Sequence, residues 1–422
     1  MRISIHTLGT RGDIQPYLAL ALGLKARGHE VQLAAPMQFE AMATRRGVGF
    51  APLPGDFLNL IATPEGKAAL TGSKGFGAGL RLLKYARPMM RGVLDAEWQA
   101  ARGFAPDIII AHPKSLAAPH IAERLGTPWV LASPLPGFTA TAAFPTPLLR
   151  FATLGPLNRI SHSLATKSAG FLFGGLLRDW RGTSLGLSQR GNPPRPIATL
   201  YAYSPHVLAK PGDWGDDVLV AGYWFLDHPD WNPDAELAKF LGAGDPPVYI
   251  GFGSMPGIDP QRLTRVCVEA LERCGKRGLL ATGGGALEDI TTAPFVRMIA
   301  EAPHDRLFAC VSAVVHHGGA GTTGAALRAG KPTAAFAFFG DQPFWARRIV
   351  RLGVGPRTPD INHLTAENLA EAIVAMDDAA MRERASALGE AIRGEDGVAA
   401  AVGFIEATAG SASSQPLRSR AL

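Results

Sequence analysis

Short apolar runs alternate along this chain with longer stretches whose apolar residues recur at helical spacing. The first run is "RISIHTL". A glycine turn, "GTRGD", follows it, and then "IQPYLALALGLKARG", with apolar Leu18, Leu22 and Leu24 and a glycine stop at Gly28. The alternation continues with "HEVQLAAP", a helix through "EAMATRRG", and the strands "PDIIIAHP" and "TPWVLASP" on either side of the helix "LAAPHIAERLG". Strands that are apolar throughout and separated by helices predict a parallel sheet covered on both faces.

The second half restarts the rhythm. "DPPVYIGFGS" is a strand and turn, "PQRLTRVCVEALERCG" a helix, and "KRGLLATGGG", "DRLFACVSAVVHHGG", "KPTAAFAFFGDQ" and "LTAENLAEAIVAMDD" carry the repeat onward. Two interruptions stand out. Residues 139–190 are rich in Phe, Leu, Pro and Gly, which fits either a wall for an apolar ligand or ordinary helices packed on the domain. Residues 223–245 are rich in Pro, Asp and Trp and poor in periodicity, which fits a linker. The expected organisation is a first domain over 1–222, a linker over 223–245 and a second domain over 246–395. A last helix over 396–409 then reaches back to the first domain, and 410–422 form a disordered tail. Two doubly wound domains leave a cleft between the carboxyl ends of their strands.

Composition narrows the function classes. The chain has 422 residues, 47% hydrophobic and 18% charged, as a globular chain of more than one core should. The formal charge of +6 comes from scattered arginines with no Lys/Arg-rich block. Nucleic acid is therefore not the expected partner, while anionic substrates and an anionic membrane surface are compatible. Cys267, Cys274 and Cys310 form no C-x-x-C and no zinc spacing, which points to a reducing, cytoplasmic setting. No signal peptide is read at the start, and no uncharged apolar run reaches about 18 residues.

The stretch "HHGGAGTTGAALRAG" carries the densest chemistry. Gly319, Gly321 and Gly324 satisfy G-x-G-x-x-G, and Asp341 follows about 20 residues on, as a dinucleotide fingerprint asks. A nicotinamide- or flavin-dependent oxidoreductase is one reading. It leaves unexplained the histidine pair before the glycines, the Gln after the Asp, and "GTRGD".

Taken together, "GTRGDIQPYLALALGLKARGHEV", "TATAAFPTPLL", "YAYSPHVLAKPGDW", "AGYWFLD", "PPVYIGFGSM", "PHDRLF", "AVVHHGGAGTT", "RAGKPT" and "FFGDQPFWARR" resemble the sterol glucosyltransferase branch of the two-domain, nucleotide-sugar-dependent glycosyltransferases. The antibiotic-aglycone glycosyltransferases are close relatives of that branch. The segments follow the family's order over nearly the whole chain. The resemblance implies an α/β chain of GT-B architecture: two Rossmann-like domains, the C-terminal one holding a nucleotide sugar and the N-terminal one an acceptor. It implies transfer of a hexose, as from UDP-glucose, onto a hydroxyl of an apolar acceptor such as a sterol, lipid or natural-product aglycone. The resemblance also implies inversion at the anomeric carbon without a metal, and no cofactor beyond the donor itself.

The resemblance also assigns roles. Asp13 would be the base that takes the acceptor proton. From its position alone it reads first as a cap of the first helix. A partly desolvated cleft would raise its pKa. The family's second acidic group is missing from "AHPKS", so Asp13 is expected to act alone, with His6 and His112 as runners-up that read more simply as packed histidines. His317, Gly319, Gly321 and Thr322 would hold the diphosphate at a helix start, while His316 faces the other way. Ser254 would reach the diphosphate from another loop, and Arg11 would add positive charge from across the cleft. Pro303 and His304 would lie in the nucleobase region, where Glu301 stands in place of the plant branch's tryptophan. Asp341 and Gln342 would bind the sugar, and Trp345 packs nearby. No D-x-D occurs in the sequence, so the diphosphate is expected to be neutralised by the helix start and side chains.

Overall fold

The computed structural model describes residues 1–55, 76–255, 259–290 and 293–414. Two parallel sheets organise them. The first has the order β3-β2-β1-β4-β5-β6-β7, with β1 Arg2–His6, β2 Glu30–Pro36, β3 Gly49–Leu53, β4 Ile108–Ala111, β5 Trp129–Ser133, β6 Ala198–Tyr201 and β7 Val218–Val220. The second has the order β10-β9-β8-β11-β12, with β8 Val248–Gly251, β9 Gly278–Ala281, β10 Val296–Ile299, β11 Ala313–His316 and β12 Thr333–Ala335. Every pairing is parallel, with β1 beside β4 placing His6 against Ala111, and β8 beside β11 placing Gly251 against His316. Strand order reverses at these two junctions. The carboxyl ends of β1 and β4, and of β8 and β11, are therefore the places where each sheet opens a crevice.

The inner strands are buried almost completely, as the unbroken "III" of β4 requires. One face of the first sheet packs on the helix Arg11–Ala26, which in turn packs on the C-terminal helix Gly397–Ser414 through Leu18, Ala401, Val402 and Ile405. Gly23 lets the two helices approach: a Cβ there would lie 2.3 Å from Val398 Cγ1. A separate cluster joins the two halves. Tyr201, Tyr203 and Trp214 from the first sheet's side pack with Phe344, Trp345 and Ile349 of the helix Gln342–Leu352.

Several elements depart from the sequence reading. β6, β7 and β10 are short strands without the expected flanking pattern. Residues 223–245 contain the helix Ala235–Gly242, capped by Asp234 and anchored by buried Leu237 against Tyr249 and Phe308, so part of that segment belongs to the second core. The C-terminal helix runs on to Ser414, so residues 410–414 are helical where a tail is expected, and 415–422 lie outside the described residues. Within 139–190, Leu148, Phe151, Leu157, Ile160 and Leu164 are exposed, while Ala143, Phe144, Pro145, Phe151 and Ala152 border a cavity.

Candidate active site

Asp13 sits where the first sheet reverses order. Gly9, at φ +133°, turns the chain out of β1, and Thr10 caps the helix Arg11–Ala26. Asp13 is the third helical residue. Its Oδ2 accepts the Thr10 backbone N–H at 2.8 Å and the Thr10 hydroxyl at 3.3 Å. One carboxylate oxygen thus serves the helix start, in the manner of a capping box. The other, Oδ1, accepts from Lys114 Nζ at 2.7 Å and lies 3.5 Å from His112 Nε2. A side chain at Gly9 would collide with this group, its Cβ 2.1 Å from Asp13 Oδ2 and 2.9 Å from Lys114 Nζ.

The surroundings correct two expectations. Asp13 does not stand alone, because His112 and Lys114 reach it from the end of β4. Its pKa is not raised. Burial pushes it up, but the charge on Lys114, the neighbouring His112, and hydrogen bonds from Lys114 and the Thr10 N–H together hold it below the ordinary aspartate value. His112 is neutral: burial takes it down to about 3, with Asp13 opposing and Lys114 reinforcing the shift. Its Nδ1 accepts the Lys114 backbone N–H at 3.0 Å, so the ring proton is on Nε2, the atom facing Asp13. His6, the last residue of β1, is fully buried, bonded to Ser4 at 3.0 Å and 3.8 Å from Glu97.

At the second reversal point, the His317 ring lies in a slot between two glycines. A Cβ on Gly319 would come within 2.4 Å of His317 Nε2, and one on Gly253, at φ +61°, would lie 3.5 Å from its Cε1. Gly284 closes against Gly253 and Ser254 so tightly that a Cβ there would overlap their backbone. Ser254, exposed after β8, thereby comes to the same crevice. Gly319 is the N-cap of the helix Ala320–Arg328 and has no side chain to cap it. The first N–H groups, of Gly321 and Thr322 among them, are left as open donors. His317 is neutral, driven to about 4 by burial and then by His304, and its buried Nδ1 has no partner among the described residues. His316 points into the core, its Nδ1 accepting the Gly318 N–H at 2.9 Å and its ring at 87° to that of His317.

Pro303 opens the short helix His304–Leu307. The His304 ring stacks on Phe308 at 4.4 Å, and burial holds it neutral at about 4. Arg11 crosses the cleft, its Nη1 2.5 Å from Glu301 Oε2. Its charge is therefore paired with Glu301 across the cleft. Asp341 caps the helix Gln342–Leu352 and accepts the indole N–H of Trp345 at 2.8 Å. Burial raises its pKa, opposed by the Trp345 hydrogen bond, and the Asp13 charge adds to the rise. Gln342 is less available than the sequence suggests. Its Oε1 accepts the Phe338 and Phe339 N–H groups at 2.7 and 3.2 Å, and its amide contacts Met255 Sδ at 3.2 Å. Trp345 is fully buried and holds Asp341 rather than facing the cleft. Lys114 is the group sequence reasoning missed. Its one signal is position, in the loop after the strand that pairs with β1.

Comparisons with known proteins bear on the fold and the family. Residues 3–145 match the glycosyltransferase family 28 N-terminal domain, and residues 279–399 match the erythromycin biosynthesis protein CIII-like C-terminal domain. Sterol 3-beta-glucosyltransferase UGT80A2 of Arabidopsis thaliana is 36% identical over 95% of this chain and 64% of its own length. UGT80B1 of the same plant is 36% identical over 95% and 67%. The sterol 3-beta-glucosyltransferase of Emericella nidulans is 37% identical over 95% of this chain but only 29% of its own. The chain thus spans about two thirds of the plant relatives and under a third of the fungal one. Among solved structures, the glycotransferase of kitacinnamycin superposes with a TM-score of 0.71 at 20% identity, covering 96% of this chain and 98% of that one. The calicheamicin glycosyltransferase CalG4 superposes at 0.67 and 18% identity, covering 97% and 98%. These neighbours share the GT-B arrangement of two parallel-sheet domains. With the ordered motifs, two matched domains and end-to-end similarity in hand, the chain belongs to the sterol glucosyltransferase branch of the two-domain glycosyltransferases.

Proposed function

We propose that this protein transfers a hexose, glucose from UDP-glucose, onto the hydroxyl of an apolar acceptor of the sterol kind, with inversion and without a metal. The observation that carries the reading is the opposition of the two crevices. Asp13 with Lys114 stands at one, and the His317–Gly319 loop with open helix N–H groups stands at the other. The sterol glucosyltransferase relatives supply the acceptor class, and the absence of D-x-D from the sequence favours neutralisation by protein donors.

In this mechanism the acceptor oxygen bonds to the anomeric carbon as the carbon–phosphate oxygen bond breaks on the opposite face. The acceptor proton passes to the Asp13 carboxylate. The leaving diphosphate takes the bonding pair and is stabilised by the N–H groups at the start of Ala320–Arg328, by neutral His317 as a hydrogen-bond donor, and by Ser254. Asp341 would accept from sugar hydroxyls, and Pro303 with His304 would border the base. Donor and acceptor on different domains imply closure of the cleft during turnover. We place the reaction in the cytoplasm.

The dinucleotide reading loses support, because the third fingerprint glycine, Gly324, packs on Tyr223. Purified protein incubated with labelled UDP-glucose or its thymidine counterpart, a detergent-dispersed sterol and a chelator tests the proposal. Product mass and anomeric configuration are the readouts. The absence of both transfer and donor hydrolysis with every common donor would refute it.

A further inference from the structure

The helix Phe76–Phe104 carries a fully buried carboxylate, Glu97, that the reaction described above does not use. Leu94 and Ala101, one turn to either side of it, pack with Ile109 and Ala111 of β4. A carboxylate in such a place costs stability that an apolar side chain of the same volume would not. Its two oxygens reach two different segments. Oε2 accepts the Ser115 hydroxyl at 3.0 Å. Oε1 lies 3.8 Å from His6 Nδ1, and both of these atoms are buried with no hydrogen-bond partner among the described residues. A carboxylate oxygen only accepts, so the ring proton of His6 belongs on Nδ1, toward Glu97, and Nε2 accepts from the Ser4 hydroxyl at 3.0 Å. Among the described residues His6 is the one basic side chain within 4 Å of that carboxylate.

Both segments lead directly to Asp13. Thr7 follows His6, and its hydroxyl donates to the Asp13 backbone carbonyl at 2.7 Å. The loop after β4 is a closed turn. The His112 N–H donates to the His6 carbonyl at 2.8 Å, and the Ser115 N–H donates to the His112 carbonyl at 2.9 Å. The Ser115 hydroxyl also accepts the Ala118 N–H at 3.4 Å. Between those anchors stand His112 and Lys114, the two groups that meet Asp13.

We propose that Glu97 is a positioning residue: by bridging His6 and Ser115 it fixes the loop that carries Lys114 and so sets how closely Lys114 approaches Asp13. The proposal rests on the reading of Asp13 as the base, but the contact itself can be titrated without catalysis. Burial, Lys114, His112 and the Thr10 N–H act on the Asp13 carboxyl, and its charge in turn reaches Tyr17 of its own helix and Asp341 of the second domain. The sign of the effect separates two routes. Deleting a nearby negative charge lowers a carboxyl pKa, whereas letting Lys114 swing away raises it.

The full chain is isotope-labelled at its aspartate carboxyl carbons for NMR, and the Asp13 signal is assigned by its loss in Asp13→Asn. Its titration is then followed in the parent, Glu97→Gln and Ser115→Ala, alongside the acid limb of kcat. Both variants should titrate at higher pH than the parent, in the same direction as Lys114→Met and by no more than that change, with donor KM at the parental value. In the Lys114→Met background neither should move the midpoint further, because the group they position is gone. Ser115→Ala keeps the Glu97 charge and carries the test should Glu97→Gln fail to fold. A titration that stays in place or moves to lower pH overturns the proposal. So does a shift that persists in full without Lys114, and so does a lowered thermal midpoint with a parental titration, which would assign Glu97 to the fold alone. A shifted titration in a protein without any glycosyl transfer would leave the positioning standing and remove the proposed reaction. Transfer with an unshifted titration would do the reverse.

Discussion

The Lys114 ammonium lies 2.7 Å from Oδ1 of Asp13, although 101 residues separate them in the chain. The proposed base is therefore an ion-paired carboxylate, held ready in its charged form at neutral pH, and weaker as a base than a desolvated one.

Asp13→Asn should keep both the helix cap and donor binding while lowering turnover by about 10²- to 10⁴-fold, the usual contribution of a general base. Donor titration alongside steady-state kinetics separates the two effects. An unchanged rate would remove Asp13 from the chemistry.

Lys114→Met removes the largest influence lowering the Asp13 pKa and leaves burial, which raises it, less opposed. The acid limb of the kcat profile should move to higher pH, because the charged base is then lost earlier on acidification. A limb that stays in place would show that the pair does not govern ionisation of the base.

Stability should fall on mild acidification. His120, His304 and His317 are each lowered to about 4, and His112 to about 3, with burial the leading cause in each. The unfolded chain binds these protons near 6.5 and the folded chain does not. The contribution is thus complete above about pH 6.5 and is lost as pH falls through about 4. Thermal midpoints measured from about pH 7 to about pH 4 should decline across that window, and a flat profile would contradict the buried neutral rings.

Two glycine-to-alanine changes, five positions apart, should behave differently. Gly319→Ala pushes a methyl onto the His317 ring and should raise donor KM with little change in melting. Gly324→Ala places its Cβ 2.6 Å from the Tyr223 ring. It should destabilise by about 1–3 kcal/mol through overpacking, with KM near the parent value. Kinetics and calorimetry on both variants check the contrast.

Trp345→Phe keeps most of the buried ring but deletes the indole N–H that Asp341 accepts. A buried carboxylate left short of a donor costs about 1–3 kcal/mol. A lower thermal midpoint together with weaker donor binding is expected. A drop in the midpoint alone would assign Asp341 to structure.

Much of this was legible in the sequence because it is local. Unbroken apolar runs such as "DIIIA" specify strands buried on both faces, and glycine at the turn after β1 and at the helix start after β11 specifies where backbone N–H groups are left open. Asp13 and His317 could be singled out on such grounds together with family resemblance. The strands β6, β7 and β10 could not, because no long amphipathic stretch directly follows them, as one follows the equally short β8 and β11.

What the sequence by itself determined is the alternation of strands and helices, and with it two doubly wound sheets and the loops at their carboxyl ends. Only the tertiary structure decided which side chains meet there. Strand order puts β4 next to β1 and so brings Lys114 to Asp13; inter-domain packing pairs Arg11 with Glu301 and buries Trp345 beneath Asp341. Local sequence fixes backbone geometry over a few residues, whereas a carboxylate's charge, and the partners that set it, depend on atoms brought together from distant parts of the chain.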